Sequence, residues 1–370
     1  MYACQSRRMG ESMSKTLRSN IVTIGLVVVV YIGAQILIAT GNISSLMKGL
    51  LVPLCVYAIL AVSLNLTVGI LGELSLGHAG FMCIGAFSSA FFSKCMKMFV
   101  PGMPGALRFL LAIVIGAALA GLFGILIGIP VLRLKGDYLA IVTLAFGEII
   151  KNIINILYLG IDEEGLHFSL KSSLDLHMAD SDKIIINGAM GITGTPNDSN
   201  FTIGVILLIL TLLIVLNLIH SRDGRAIMSI RDNTIAAESV GIPVTRYKLM
   251  AFSISAALAG VAGVLYAHNL STLTALPKNF GYNMSIMILV FVVLGGMGNI
   301  RGSMIAAVIL TLLPELLRGV VSDYRMLIYA IILIVMMLFN WAPKCIEWRK
   351  KLTAGVKARM PKKAAAKEVE

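Results

Sequence analysis

The chain has 370 residues, of which 58% are hydrophobic and only 14% are charged, and its formal net charge is +12. Soluble domains contain roughly 45–50% apolar and about 25% charged residues, so this composition excludes a water-soluble globular fold. The basic residues lie in short connections and tails, without the basic face and interleaved aromatics of a nucleic-acid-binding protein. We therefore expect most of the chain to lie within a membrane.

Apolar runs recur along the chain at about 20 residues, the length that crosses a hydrocarbon core of about 30 Å. They predict an all-α, polytopic integral membrane protein with about ten transmembrane helices. The predicted spans are 21–40, 49–71, 75–93, 108–130, 138–159, 201–219, 248–267, 282–297, 303–320 and 326–342. The first is expected to stay in the membrane, because no small-residue cleavage pattern follows it.

The distribution of basic residues predicts the orientation. With both termini cytoplasmic, 21 of the 31 Lys and Arg residues lie in inside segments or at the inside ends of spans, and 9 lie in outside segments or at the outside ends of spans. This bias follows the positive-inside rule and requires an even number of spans. The resulting organisation is a cytoplasmic extension at 1–20, a transmembrane domain at 21–343 and a basic cytoplasmic tail at 344–370.

The outside segment 160–200 is polar and contains seven acidic residues against two lysines. A connection of this length is uncommon unless it is functional or disordered. It is either an extracytoplasmic cap or docking surface, or a solvated connection.

Small residues recur at helical spacing in two predicted spans. Such stripes allow helix backbones to approach closely, so they predict tight helix packing rather than a substrate path. The stripes are Gly116, Ala120, Gly124 and Gly128, and Ala256, Gly260 and Gly263.

Two glycine-rich breaks interrupt the apolar pattern, and both lie on the predicted cytoplasmic side. Irregular backbone at membrane depth is tolerated only where protein or a water-filled cavity surrounds it, so these breaks are candidates for a translocation pathway. The alternatives are a plain helix-to-helix turn for Glu73 and a hydrogen-bonded interior histidine for His78. The residues concerned are Gly72, Glu73, Ser75, Gly77 and His78 in the first break and Gly295, Gly296 and Gly298 in the second.

Two pairs of opposite charges are spaced three residues apart within predicted helices. Glu148 with Lys151, and Glu315 with Arg318, can each form an ion pair that neutralises both charges. A direct role in substrate transport is the alternative.

The segment 220–248 is the most informative polar stretch. Ala226, Ile227 and Ile230 give one apolar face, and Ile235, Ala236 and Val240 give another. Short amphipathic helices on the cytoplasmic side fit a partner protein or the membrane surface.

No catalytic or metal-binding motif is present in the sequence, and the five scattered cysteines predict no metal site. Gly10–Thr16 lacks the glycine before the lysine that a phosphate-binding loop needs. No ATP site is therefore expected in this chain.

Four blocks together resemble the LivM-type permease subunit of bacterial ATP-binding-cassette importers for branched-chain amino acids. The blocks are Leu64–Phe81, Arg133–Glu148, the 224–252 loop and Val292–Gly302.

The resemblance implies an inner-membrane importer subunit that works by alternating access. It would pair with a homologous or identical permease, two cytoplasmic ATPases and a periplasmic binding protein. ATP and magnesium would be bound by those partners. The implied ATPase-coupling loop contains Arg231, Asp232, Asn233, Ala236, Ala237, Glu238 and Gly241.

The resemblance leaves the substrate open, since related permeases carry urea, amides or other amino acids. A stand-alone secondary transporter or channel, with Glu73 and Glu148 at an ion-coupling site, is the alternative. An intramembrane enzyme is disfavoured because no catalytic cluster is recognisable.

Overall fold

The structure is a computed structural model that describes residues 2–40, 45–100, 102–134, 136–162, 165–171 and 184–316, with five further helical positions between 330 and 338. Two compact units are present, Met1–Thr311 and Leu312–Glu370. In the second unit the described positions are all helical. The basic tail 344–370 lies outside the described residues.

Twelve α-helices are present in the described part of the chain. The first six are α1 (Tyr2–Ala39), α2 (Ser45–Asn65), α3 (His78–Phe99), α4 (Gly105–Val131), α5 (Asp137–Asn155) and α6 (Phe201–His220). The others are α7 (Arg222–Asp232), α8 (Thr234–Ser239), α9 (Val244–Ala267), α10 (Pro277–Phe280), α11 (Tyr282–Gly295) and α12 (Ile300–Leu316). A π-helix, Leu66–Leu71, continues α2.

Seven helical segments among the described residues are long and apolar enough to cross a membrane. They are Asn20–Ala39, Met47–Leu71, His78–Phe99, Gly105–Val131, Phe201–His220, Val244–Ala267 and Pro277–Gly295. The polytopic helical fold is confirmed. The predicted spans 138–159 and 303–320 correspond to α5 and α12, which are not among the seven, and 326–342 falls largely outside the described residues. The total of ten therefore stays a prediction.

The predicted extension 1–20 is continuous with the first span in the structure. α1 begins at Tyr2 and continues without interruption to Ala39, so the polar and apolar parts form one 38-residue helix.

Helix α9 lies at the centre of the bundle and packs against α2, α3 and α4. A Cβ at Gly260 would lie 2.5 Å from the Ala120 Cβ and 2.8 Å from the Gly116 carbonyl oxygen. A Cβ at Gly124 would lie 2.7 Å from the Ala256 Cβ. Because these positions lack bulk, the backbones approach closely, and the prediction that the stripes serve helix packing is confirmed.

Short strands cap the end of the bundle opposite α8. β1 (Tyr158–Asp162) pairs antiparallel with β2 (Gly165–Ser169) and with β3 (Ile184–Asn187), in the order β2-β1-β3. β4 (Ile192–Thr193) pairs with β5 (Thr272–Leu273), which joins the 160–200 segment to the connection after α9. The described residues of this segment are thus more ordered than a plain solvated connection.

A largely buried ion pair attaches this cap to α4, and a buried histidine joins α9 to α3 close to it. Arg108, in the first turn of α4, forms a 2.6 Å ion pair with Asp198. His268, which ends α9, is fully buried and its Nε2 lies 2.8 Å from the Ser93 hydroxyl. Burial lowers the pKa of the His268 imidazole below its ordinary value of 6.5. The ring is therefore neutral at pH 7.

Candidate functional site at the two glycine-rich breaks

Helix α7 begins at a side-chain cap and lies with one face inward. The Ser221 hydroxyl accepts a 3.0 Å hydrogen bond from the Gly224 amide, which satisfies one of the free donors of the first turn. Ile227 and Ile230 are buried, while Ala226 is half-buried. The first apolar face predicted from the sequence therefore packs inward against the protein.

Helix α8 is only six residues long and is stabilised at both ends by local hydrogen bonds. The Asn233 side chain accepts a 3.0 Å bond from the Ala236 amide. At the other end, Gly241 has φ of +84°, its amide donates to the Glu238 carbonyl, and the Ile242 amide donates to the Ala237 carbonyl. This pair of bonds is the Schellman arrangement, which favours glycine at the left-handed position.

Helix α8 and the residue that follows it expose large apolar side chains. Ile235 and Val240 are 81% and 75% exposed, whereas Ala237 is buried against the protein. Ala236 and Glu238 are also exposed. The second predicted apolar face therefore points away from the rest of the protein. The hydrogen bonds at both ends of α8 stabilise the helix that presents it.

The first glycine-rich break has an irregular backbone, as predicted. The π-helix widens the end of α2, and Gly72 ends it with φ of +81° while its amide donates to the Thr67 carbonyl. The chain is then non-helical until α3 begins at His78. No sequence pattern indicated the π-helix itself.

Glu73 forms an ion pair with Lys248 in the first turns of α9. Their side chains are only 15% and 11% exposed, so each charge is largely withdrawn from water and depends on the other. Glu73 is therefore more than a residue in a solvated turn. Lys248 was not predicted as a site residue, since no signal in the sequence links it to Glu73.

The rest of the first break is packed inside the bundle. His78 Nε2 lies 2.7 Å from the Ser63 hydroxyl, which agrees with the interpretation as a hydrogen-bonded interior histidine. Gly77 lies against the Thr143 backbone of α5, where a Cβ would overlap the carbonyl oxygen. The Ser75 hydroxyl is buried and has no hydrogen-bond partner among the described residues.

The second break contains two glycines with positive φ, Gly296 at +93° and Gly298 at +81°. Gly295 lies against the backbone of Gly302 and Ser303 at the start of α12. These close approaches explain why glycine is needed there.

The two breaks meet directly through Asn65, the last residue of α2. Its side-chain amide donates to the Ser303 hydroxyl at 2.8 Å, and its Oδ1 accepts from the Gly298 amide at 2.8 Å. Asn65 is fully buried, and a Cβ at Gly69 would lie 2.8 Å from the Gly298 Cα. Asn65 and Ser303 were not predicted as site residues, although a buried amide inside an apolar helix is itself a signal.

Arg231, the penultimate residue of α7, extends into this junction. Its Nη1 donates to the Gly69 carbonyl at 3.1 Å, and a Cβ at Gly72 would lie 2.6 Å from its Cγ. Its Nη2 also contacts Asp232 Oδ1 at 3.0 Å. Tertiary structure therefore brings one predicted coupling residue against the predicted pathway segment.

Comparison with known proteins identifies the family. Residues 46–337 match the family described as "Branched-chain amino acid transport system / permease component". The chain belongs to this family. The high-affinity branched-chain amino acid transport system permease protein LivM of Salmonella typhimurium is 34% identical over 300 residues, which cover 78% of this chain and 67% of that protein.

The LivM protein of Escherichia coli gives the same identity and coverage. The fructose import permease protein FruG of Bifidobacterium longum is 27% identical over 165 residues, covering 42% of this chain and 47% of that protein. No solved structure matches the chain significantly. The protein is thus a multi-pass permease of the bacterial inner membrane.

In the permease the predicted ion pair between Glu148 and Lys151 is confirmed. Glu148 Oε1 also accepts a 2.7 Å bond from the Tyr282 amide, at the start of α11. A carboxylate at a helix N-terminus is favourable, so this pair holds α5 against α11. The other predicted pair lies outside the described residues, because neither the Glu315 side chain nor Arg318 is described.

Among the described residues, the two glycine-rich breaks are joined by buried polar contacts. In the described part of the chain, no group of three or more His, Cys, Asp or Glu side chains could hold a metal ion. The two glycine breaks, the end of α7 and the start of α9 instead form a hydrogen-bonded junction below the exposed helix α8. Asn233 and Gly241, predicted as coupling residues, act in the structure as the caps of that helix.

Proposed function

We propose that the chain is the membrane-spanning subunit of an ATP-driven importer that moves branched-chain or related amino acids into the cytoplasm by alternating access. The observation that carries the proposal is α8, a doubly capped helix with two exposed apolar side chains, Ile235 in its first turn and Val240 directly after it. A short helix of this kind fits a groove on a partner, as in helix-in-groove recognition. Membership of the permease family supports the same function.

The substrate class follows from the LivM relatives, which are named for high-affinity transport of branched-chain amino acids. Matches to a fructose permease cover less than half of either chain. We therefore infer a branched-chain or related amino acid rather than a sugar. The partners would be a second permease subunit, two cytoplasmic ATPase subunits and a periplasmic binding protein, and ATP and magnesium would be bound by the ATPases.

An ion-coupled secondary transporter is less well supported. Such a transporter would use intramembrane acids to bind the coupling ion. The two candidates, Glu73 and Glu148, are already paired with Lys248 and Lys151. Uptake by vesicles that contain an ion gradient but no ATPase subunit would favour the alternative.

The proposed topology has ten spans with both termini and α8 on the cytoplasmic side. Support comes from the basic residues, which are concentrated in the tails and in 220–248. A test uses single cysteines at Met190 and Ile235, both largely exposed, in a background without native cysteines. In intact spheroplasts a membrane-impermeant maleimide should label Met190→Cys and leave Ile235→Cys unlabelled; the reverse pattern would overturn the orientation.

The ATPase partnership is tested on the exposed face of α8. The double variant Ile235→Asp, Val240→Asp places charges on the proposed contact without filling buried space, so the chain should still fold. The ATPase subunits should then fail to co-purify, and uptake should be lost. Met190→Asp, at another exposed apolar site on the cap, is the matched control. Co-purification at the wild-type level from the double variant would refute the role of α8.

A further inference from the structure

One basic side chain precedes α8 and another follows it, and both contact the same short segment of the membrane domain. Arg231 precedes α8 and donates to the Gly69 carbonyl at 3.1 Å. Lys248 follows α8 and pairs with Glu73. The segment that they contact, Gly69–Glu73, contains the end of the π-helix and the turn after it.

The contact of Arg231 has a clear physical basis. The last carbonyls of a helix have no partner within the helix and carry partial negative charge, so a guanidinium there forms a favourable charge-assisted bond. The stem of Arg231 lies across Gly72, where a Cβ would be 2.6 Å from its Cγ. Arg231 therefore contacts this turn both through a hydrogen bond and through packing of its stem.

The contact of Lys248 is the second connection, and it is enclosed. Because the Glu73 and Lys248 side chains are largely withdrawn from water, separating them would leave two charges poorly solvated. The pair therefore resists separation when α8 is displaced, and the start of α9 and Glu73 move together.

Movement of the Gly69–Glu73 segment would reach the second break as well. The Gly298 amide is bound to Asn65, directly before the π-helix, and Gly298 lies against Gly69. The π-helix, with its wider turn, lies between the regular helices α2 and α3, and such elements are often found at functional sites.

We propose that Arg231 and Lys248 are the two positioning residues that transmit displacement of α8 to the Gly69–Glu73 segment, and through Asn65 to the second break. This inference rests on the proposed function of α8 as the ATPase contact. It assigns these two residues to transmission inside the permease and not to binding of the ATPase.

The test separates binding of the ATPase from transmission. Arg231→Ala and Lys248→Met are each purified as the full complex in proteoliposomes, with ATP hydrolysis and leucine uptake measured together. We expect the ATPases to co-purify normally, hydrolysis to persist, and uptake per ATP to fall by roughly tenfold. Arg225→Ala is the matched control, because Arg225 lies on the same helix and, among the described residues, its side chain donates to the nearby His220 carbonyl and not to Gly69–Glu73.

A charge exchange keeps the test decisive if a single variant misfolds. The double variant Glu73→Lys, Lys248→Glu restores an ion pair with reversed polarity, and it should recover uptake per ATP relative to Lys248→Glu alone. Wild-type uptake per ATP in both Arg231→Ala and Lys248→Met would overturn the inference while leaving the proposed function intact. Failure of the wild-type chain to co-purify with any ATPase would overturn both.

Discussion

A single methyl group added at Gly69 would occupy the space in which the two glycine-rich breaks contact each other. In Gly69→Ala the new Cβ would overlap the Asn65 Oδ1 and lie 2.8 Å from the Gly298 Cα. The 2.8 Å bond from the Gly298 amide to Asn65 would have to break or shift. Asn65 is fully buried, so water cannot replace the lost partner.

The expected cost can be estimated from the contacts that are lost. Leaving a buried polar group without its partner costs about 1–3 kcal/mol, and forcing a methyl group into a packed site costs about 1–3 kcal/mol. The higher helix propensity of alanine offsets at most about 1 kcal/mol. The net loss of unfolding free energy is therefore about 3 kcal/mol. The unfolding entropy is about 2.1 cal/mol/K per residue, so for a chain of 370 residues this loss of free energy lowers the Tm by about 4 °C.

The assay is thermal unfolding of the purified permease in detergent, followed by circular dichroism. Gly49→Ala is the matched control, because Gly49 lies in α2 and a Cβ there would meet nothing within 4 Å. The control should be unchanged or slightly more stable. Equal Tm values for the two variants would refute the reasoning that Gly69 is required by the junction.

Three further predictions concern packing, capping and pH. Gly260→Leu should prevent stable folding, because even a Cβ at this position would lie 2.5 Å from the Ala120 Cβ. Gly33→Leu adds its side chain in open space, so this variant should elute from size-exclusion chromatography as the wild type does. Asn233→Ala removes the α8 cap, worth about 1 kcal/mol, and should lower uptake while the Tm falls by no more than about 1 °C. A much larger fall in Tm would contradict this. The unfolded chain binds a proton at His268 more readily than the folded chain, so wild-type stability should fall as pH drops below about 6.5. His268→Gln should flatten the profile of Tm between pH 7 and pH 5, and an unchanged slope would argue against titration of this ring.

Much of the fold was predictable because its signals are local. Apolar runs long enough to span the membrane predicted each helix from α1 to α6, and α9, α11 and α12. The ion pair of Glu148 with Lys151 followed from helical spacing alone. The small-residue stripe that includes Gly260 was predicted to pack helices, and it does so.

Local chemistry also determined α8. Asn233 and Gly241 are a side-chain cap and a left-handed C-terminal residue, and both act within a few positions along the chain. Because these bonds need no distant partner, the sequence could predict a short helix at this position. The sequence could not tell which side chains of that helix face outward.

Only the tertiary structure decided how the junction is assembled. The bonds from Lys248 to Glu73, from Gly298 to Asn65 and from Arg231 to Gly69 join positions 175, 233 and 162 residues apart. No period or spacing in one sequence encodes such pairs, since they depend on how the helices pack. The sequence therefore determined the helices and the caps of α8, while the packing of α2, α7, α9 and α12 determined which residues connect α8 to the two breaks.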